Sequence, residues 1–259
     1  MMRADAVPRE GGAPVAADSY DGVDEGALRA RLGAGDLVLL ESVGSVMDVA
    51  HRRAAAGAAA GLVVLADRQT AGRGRNGRAW HSPAGAGVYV AALLRPDVRP
   101  FSGALAVRVG LRLVEAIEVV APAASPWLKW PNDVLVAKRK AAGVLCEARW
   151  SGPSQGWVVV GIGVNVRGPV PEEVRAGAIA LAEVEPSVTR VALLGALMPR
   201  LLSVAERPSA LDEAEREAYR RRLWLEPLLP EAPVGVDGDG ALLVRMDDGT
   251  LVRRVMPTA

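Results

Sequence analysis

Residues 72–80 read Gly-Arg-Gly-Arg-Asn-Gly-Arg-Ala-Trp. Three glycines alternate with three arginines between Gly72 and Arg78, so backbone freedom is interleaved with fixed positive charge. Such a stretch can wrap an anion with amides and guanidiniums together. Gly72, Gly74 and Gly77 match the G-x-G-x-x-G spacing of a dinucleotide-binding turn, which would make the chain a doubly wound α/β protein. The continuation decides against that fold. The fingerprint needs a helix to open straight after the glycines, and here Trp80-His81-Ser82-Pro83 follows, which reads as a loop. No Lys-Ser/Thr pair completes a P-loop either. The anion cradle therefore belongs to another scaffold.

The 259 residues suffice for one large domain, or one domain plus a small module. Half are hydrophobic, but with one Phe, three Tyr and six Trp the core must be filled mainly by Ala, Val and Leu. The net charge of +1 gives no global case for nucleic acid or an anionic membrane, so neither DNA nor a membrane is an expected partner. The single cysteine, Cys146, cannot form an intrachain disulfide and reads as core, and residues 1–22 lack the apolar segment of a signal peptide. A cytoplasmic protein with a flexible 1–22 leader is expected.

Around the loop, the pattern predicts a helix over Asp24–Leu32 closed by Gly33 and a strand over Asp36–Glu41. A helix capped by Ser45 is predicted to run to about Ala59, followed by a strand over Leu62–Ala66. Further strands are predicted over Gly87–Arg95, on both sides of a turn at Pro131-Asn132-Asp133, and in a hairpin of Gly143–Arg149 with Gly156–Gly161. Ser102–Val120 carries helical spacing, and Val188–Leu223 holds two helices with a kink or break at Pro199. His51 is expected on a helix surface. The tail Val234–Val255 alternates short strands with Asp-Gly turns at 237–238, 239–240 and 248–249, the pattern of a small β module. Residues 23–223 and 224–259 are thus expected as separate domains.

Five more segments join the loop: Glu41-Ser42-Val43-Gly44-Ser45-Val46-Met47-Asp48 and Ala66-Asp67-Arg68-Gln69-Thr70-Ala71 upstream, then Lys129-Trp130-Pro131-Asn132-Asp133, Arg139-Lys140-Ala141-Ala142-Gly143-Val144-Leu145-Cys146-Glu147, and Gly161-Ile162-Gly163-Val164-Asn165. In this order the set resembles the biotin–protein ligase family, known for a GRGRxGR loop, a KWPND segment, an RKxAG(I/V)L segment and a GxGxN segment. The resemblance covers roughly residues 36–166. It implies an α/β (α+β) catalytic domain of the class II synthetase type, a mixed central sheet flanked by helices, followed by a small SH3-like barrel. The short, proline-rich stretch Leu223–Pro233 leaves little room for the first strands of that barrel, so an incomplete one is expected.

The same resemblance implies the chemistry. ATP and biotin form biotinyl-5′-AMP with Mg²⁺, and a lysine of a biotin carboxyl carrier protein then takes the biotin. By carry-over, Arg73 and Lys140 are the catalytic pair, meeting the biotin carboxylate and the α-phosphate. Ser45, Gln69, Gly72, Gly74, Trp80 and Gly143 serve biotin, and Arg75, Arg78, Lys129, Asn132 and Asn165 serve the nucleotide. Asp133 is a candidate Mg²⁺ ligand, although turn propensity explains it equally well. Val46 replaces the family's usual Thr, removing a hydroxyl. The few residues before the first strand are too short for the DNA-binding module of some family members. The assembly is expected to be a monomer or a homodimer. A lipoate–protein ligase shares the fold, but its binding loop reads RR-x-[ST]-GGG, which this chain lacks. A non-catalytic homologue that binds biotin without turnover is the third reading.

Overall fold

The computed structural model describes residues 13–95, 103–151, 155–207, 209–225 and 231–255. Three two-residue strands open it, β1 (Val15–Ala16), β2 (Ser19–Tyr20) and β3 (Val23–Asp24), followed by helix α1 (Glu25–Leu32). Then come β4 (Asp36–Val43), α2 (Val46–Ala55), β5 (Leu62–Gln69), β6 (Gly87–Leu94) and α3 (Gly103–Val120). Next are β7 (Trp127–Lys129), β8 (Asp133–Val136), β9 (Arg139–Ser151) and β10 (Gln155–Asn165). Helices α4 (Arg190–Leu202) and α5 (Glu213–Arg222) precede β11 (Glu231–Val236), β12 (Leu242–Met246) and β13 (Leu251–Arg254).

Eight strands form one mixed sheet in the order β1-β4-β5-β6-β10-β9-β8-β7. Only β4 and β5 run parallel, with α2 as their crossover. Strand β6 is buried at every position, as a central strand covered on both faces must be. Alternation sorts β5 onto two cores. Val63 and Leu65 pack in the cluster that includes α1, α3 and α4, while Val64 and Ala66 pack against α2. The sheet is therefore sandwiched between helices, as expected.

Local chemistry explains the ends. Asp24 caps α1 through Ala27 N–H, and Gly33 ends it in a left-handed conformation at φ 62°. Helix α2 stops at Ala55, short of the expected Ala59, because Gly57 follows at φ 92°. Pro199 neither breaks nor ends α4, which runs three residues past it to Leu202.

Part of the expected leader is structured. Val15–Ala16 pairs with β4, and Tyr20 is buried with its hydroxyl donating to the Gly87 carbonyl. Arg190 of α4 pairs with Asp21 and Asp67 and lies 4.3 Å over the Tyr20 ring. Residues 1–12, Ser102 and 226–230 lie outside the described residues. The C-terminal strands form an antiparallel sheet in the order β11-β12-β13, and the described residues do not close a barrel: β13 is exposed along its length with no strand beyond it. Its first turn packs tightly on the main body. Gly240 (φ 81°) lies against Gly103 and Ala104 at the start of α3 and accepts a 3.0 Å hydrogen bond from Trp130 Nε1.

Candidate active site

The glycine–arginine stretch is a small hairpin. Arg73 bridges Ala79, Gly74 N–H donates to the Arg78 carbonyl at 2.7 Å, and Trp80 N–H donates to Gly72 at 2.8 Å. Asn76 and Gly77 turn it with φ of 55° and 69°, the paired left-handed conformation that Asn-Gly adopts at low cost. At its base Gln69 acts as a brace: its Oε1 accepts from Val46 N–H at 3.0 Å and its Nε2 donates to Ser82 Oγ at 3.0 Å.

The opposite wall comes from the sheet. Trp80 lies on the cross-strand pair Gly143 and Gly163, where a Cβ on Gly163 would come within 2.5 Å of the indole. Gly163 must stay without a side chain for the ring to seat, and at Gly143 an added methyl would press on it at 3.2 Å. Strands β8 and β9 join through Ala137-Lys138, both at positive φ, and a register shift beside Val134 precedes the pairing of Leu135 with Lys140. Lys140 Nζ meets Asp133 Oδ1 at 2.7 Å and stands 5.3 Å from the Trp80 ring centre. Asn132 braces the adjoining turn through bonds to Val144.

These walls enclose a cavity of about 560 Å³. Of the expected site residues, Ser45, Gln69, Arg73, Gly74, Arg75 and Arg78 line it from one side. Trp80, Asn132, Asp133, Lys140, Gly143 and Asn165 also line it. Gly72 and Lys129 do not. Gly72 lies under the hairpin, where a Cβ would come within 2.6 Å of the Trp80 carbonyl. Ser45 occupies the N-cap position of α2 but its hydroxyl makes no cap bond, and the first amide of the helix, Val46 N–H, is taken by Gln69. Ser45 Oγ and Trp80 Nε1 are both buried without a hydrogen-bond partner, a costly state that a polar ligand would relieve.

Arg73 is engaged by the protein's own carboxylates. Its Nη1 donates to Asp48 at 2.6 Å, and its Nε and Nη2 donate to Glu147 at 3.3 and 3.2 Å. Behind Glu147 stands His51, 2.8 Å away. His51 is not on a surface as expected: it is 2% exposed, because α2 packs on the sheet there and its partners Glu147 of β9 and Trp157 of β10 cover it. Its hydrogen bond, opposed by burial and reinforced by Arg73, holds the Glu147 carboxyl down to about 2. Burial works against the charge on Arg73, yet bonding to Glu147 and Asp48 leaves its pKa raised. Burial pushes the Cys146 thiol up to about 12, which keeps it protonated at neutral pH. In sequence Asp48 reads only as the acidic residue three beyond the Ser45 cap, and Glu147 only as the end of the strand segment that holds Gly143. Its one available signal was the alternation that sets Gly143, Leu145 and Glu147 on one face of β9. No group of three or more His, Cys, Asp or Glu side chains able to hold a metal occurs among the described residues.

Residues 42–165, which carry most of this sheet and cavity, match the model of the biotin/lipoate A/B protein ligase family. The biotin–[acetyl-CoA-carboxylase] ligase of Paracoccus denitrificans is 36% identical over 76% of this chain and 88% of its own. With that relative, the chain belongs to the biotin–protein ligase family. The bifunctional ligase/repressor of Bacillus spizizenii is 37% identical over 50% of this chain, a match spanning only 40% of its own length. The biotin protein ligase of Aquifex aeolicus, solved with biotin and ATP, superposes with a TM-score of 0.69 at 28% identity, covering 86% of this chain and 96% of that one.

Proposed function

We propose that this chain activates biotin with ATP and transfers it to a lysine of a biotin carboxyl carrier protein. The observation that carries the reading is the cavity's lining. Two buried polar groups without partners, Ser45 Oγ and Trp80 Nε1, share it with the cations Arg75, Arg78 and Lys140. A neutral ring bearing hydrogen-bonding groups suits the first pair, and a carboxylate meeting a phosphate suits the cations. A biotin carboxylate oxygen attacks the α-phosphorus, the bond to pyrophosphate breaks, and biotinyl-5′-AMP forms. The carrier's lysine amine then attacks the acyl carbon, AMP leaves, and the amine's proton passes to solvent.

Lys140 lowers the repulsion between the two anions, held in place by Asp133 until substrate arrives. The commitment of Arg73 to Asp48 and Glu147 supports giving the substrate contacts to Lys140, Arg75 and Arg78, in place of the catalytic part first expected of Arg73. Gln69 retains one N–H for the ligand beyond its two internal bonds, and Asn165, which also reaches the Lys140 carbonyl, flanks the nucleotide. Gly72 and Lys129 receive no substrate contact. The residues do not compose a cage for a resident metal, and Asp133 already serves Lys140, so Mg²⁺ belongs to the proposal as the nucleotide's own counter-ion. The proposal includes a cytoplasmic setting, a monomer or homodimer, and no DNA partner. Among the described residues no helix is long and apolar enough to cross a membrane.

The test supplies ATP, Mg²⁺ and a carrier domain with either biotin or lipoate. Pyrophosphate release that requires biotin, followed by label on the carrier, is expected. Preference for lipoate, or binding without turnover, would sink the reading.

A further inference from the structure

The chain of polar groups behind Arg73 has no part in the steps above, yet it is fully assigned. Trp157 Nε1 can only donate, so at 3.0 Å it makes His51 Nδ1 an acceptor and leaves the ring proton on Nε2. That proton is given to Glu147 Oε2, 2.8 Å away. Glu147 thus presents both oxygens to Arg73 in a fixed orientation, while Asp48 of α2 takes the other side of the guanidinium. His51 and Trp157 are 2% and 7% exposed, and Trp157 packs within the apolar cluster between α2 and the sheet. Burying polar groups there is tolerated only because every bond is made. What the chain of bonds ends on is the hairpin. Arg73 bridges Ala79, and the next pair of that hairpin is Gly74 and Arg78, so a fixed Arg73 fixes both limbs. Glu147 also follows Gly143 by four residues on the same face of β9, so the strand that carries the cavity floor carries the hairpin's anchor.

We propose that Glu147 is a positioning residue that latches the arginine hairpin over the cavity through Arg73, with His51 and Trp157 setting its carboxylate. Its functional consequence rests on the reading above: a latched hairpin holds an acyl-adenylate in the cavity until the carrier arrives.

The latch is tested first without substrate, by timing tryptic cleavage after Arg73, Arg75 and Arg78. Glu147→Gln is expected to speed cleavage after Arg75 and Arg78 about tenfold, the measure of one lost charge-assisted hydrogen bond. In an Arg73→Ala background the same change is expected to add nothing, since Glu147 acts through Arg73. An unchanged rate in Glu147→Gln, or an equal increment in the Arg73→Ala background, would overturn the proposal. If Glu147→Gln does not fold, Asp48→Asn takes its place, on a carboxylate 47% exposed, with a rise of roughly twofold to threefold expected and no rise overturning the latch. Second, ATP and biotin are added and the release rate of biotinyl-5′-AMP is measured. Faster release from Glu147→Gln than from the parent protein supports the consequence, and equal release refutes it. A parent protein that forms no adenylate would defeat the functional reading instead, leaving the tryptic result to judge the latch.

Discussion

Two hairpins contribute cations to one cavity, and both end in a two-residue left-handed turn. The arginine hairpin turns on Asn76-Gly77, the pair that adopts such φ values most readily, while β8 and β9 turn on Ala137-Lys138, neither of which favours them. The difference follows from what else holds each one. The β8–β9 hairpin lies inside an eight-stranded sheet, with Val134, Val136 and Ala142 fully buried, and that packing imposes the turn whatever its residues. The arginine hairpin has few backbone pairs and no buried side chain at its tip, so local preference and the Arg73 contacts must shape it. Lys140 stands on the rigid hairpin and Arg75 and Arg78 on the lightly held one. One charge is thus fixed by the sheet, and the other two ride on a segment held by its own turn and the Arg73 contacts.

The largest effect is expected on the rigid side. Lys140→Ala should slow single-turnover pyrophosphate release by about 10²–10³-fold, the scale of losing one preorganised charge. A near-normal rate would show that the sheet hairpin does not carry the chemistry. Next, Gly163→Ala should cost about 1–3 kcal/mol in urea unfolding and weaken biotin binding, because the new methyl group overlaps Trp80. Unchanged binding would mean the floor is looser than described.

A smaller effect depends on pH. The folded state holds Glu147 from 4.5 down to about 2, so its contribution is complete above about 4.5 and is lost as pH falls toward 2. The gap in urea midpoint between the parent protein and Glu147→Gln should therefore narrow across that window, and a constant gap would break the assignment. The smallest effects compare the turns directly. Gly77→Ala should cost about 1 kcal/mol of hairpin order without lowering the global midpoint, whereas Ala137→Asn with Lys138→Gly should raise that midpoint by up to about 1 kcal/mol. If Gly77→Ala lowers global stability instead, the two hairpins belong to one cooperative unit.

Much of this architecture was legible in the chain. The Gly33 stop, the long α3 pattern and the Asp-Gly turn at 248–249 depend on neighbours a few residues away and are present, while the turns read at 237–238 and 239–240 are one turn, closed by Gly240 N–H donating to the Asp237 carbonyl. The site was legible because its motifs bring distinctive residue types in a distinctive order. What escaped was nonlocal. His51 takes its burial from Glu147 and Trp157, 96 and 106 residues later, and nothing beside it in sequence announces either. Ser45 reads as a helix cap, yet its hydroxyl makes no cap bond, and it is Gln69, 23 residues on from Val46, that takes the first amide of α2. Asn76-Gly77 carried a hairpin signal, but no alternating apolar residues flank it, so the stretch read as a plain loop. The residues of the leader that proved structured have the same explanation. Tyr20 and Asp21 meet partners at Gly87 and Arg190 that local pattern cannot supply.

That last contact also orders events during synthesis. Arg190 follows Asp21 by 169 residues, and its guanidinium is what Asp21 and Asp67 share. On a ribosome adding residues one by one, Asp21 therefore waits on the order of 10–30 s for its partner to be made. Asp21 is thus fastened only once the start of α4 has been made, long after β4, the strand with which Val15–Ala16 pairs.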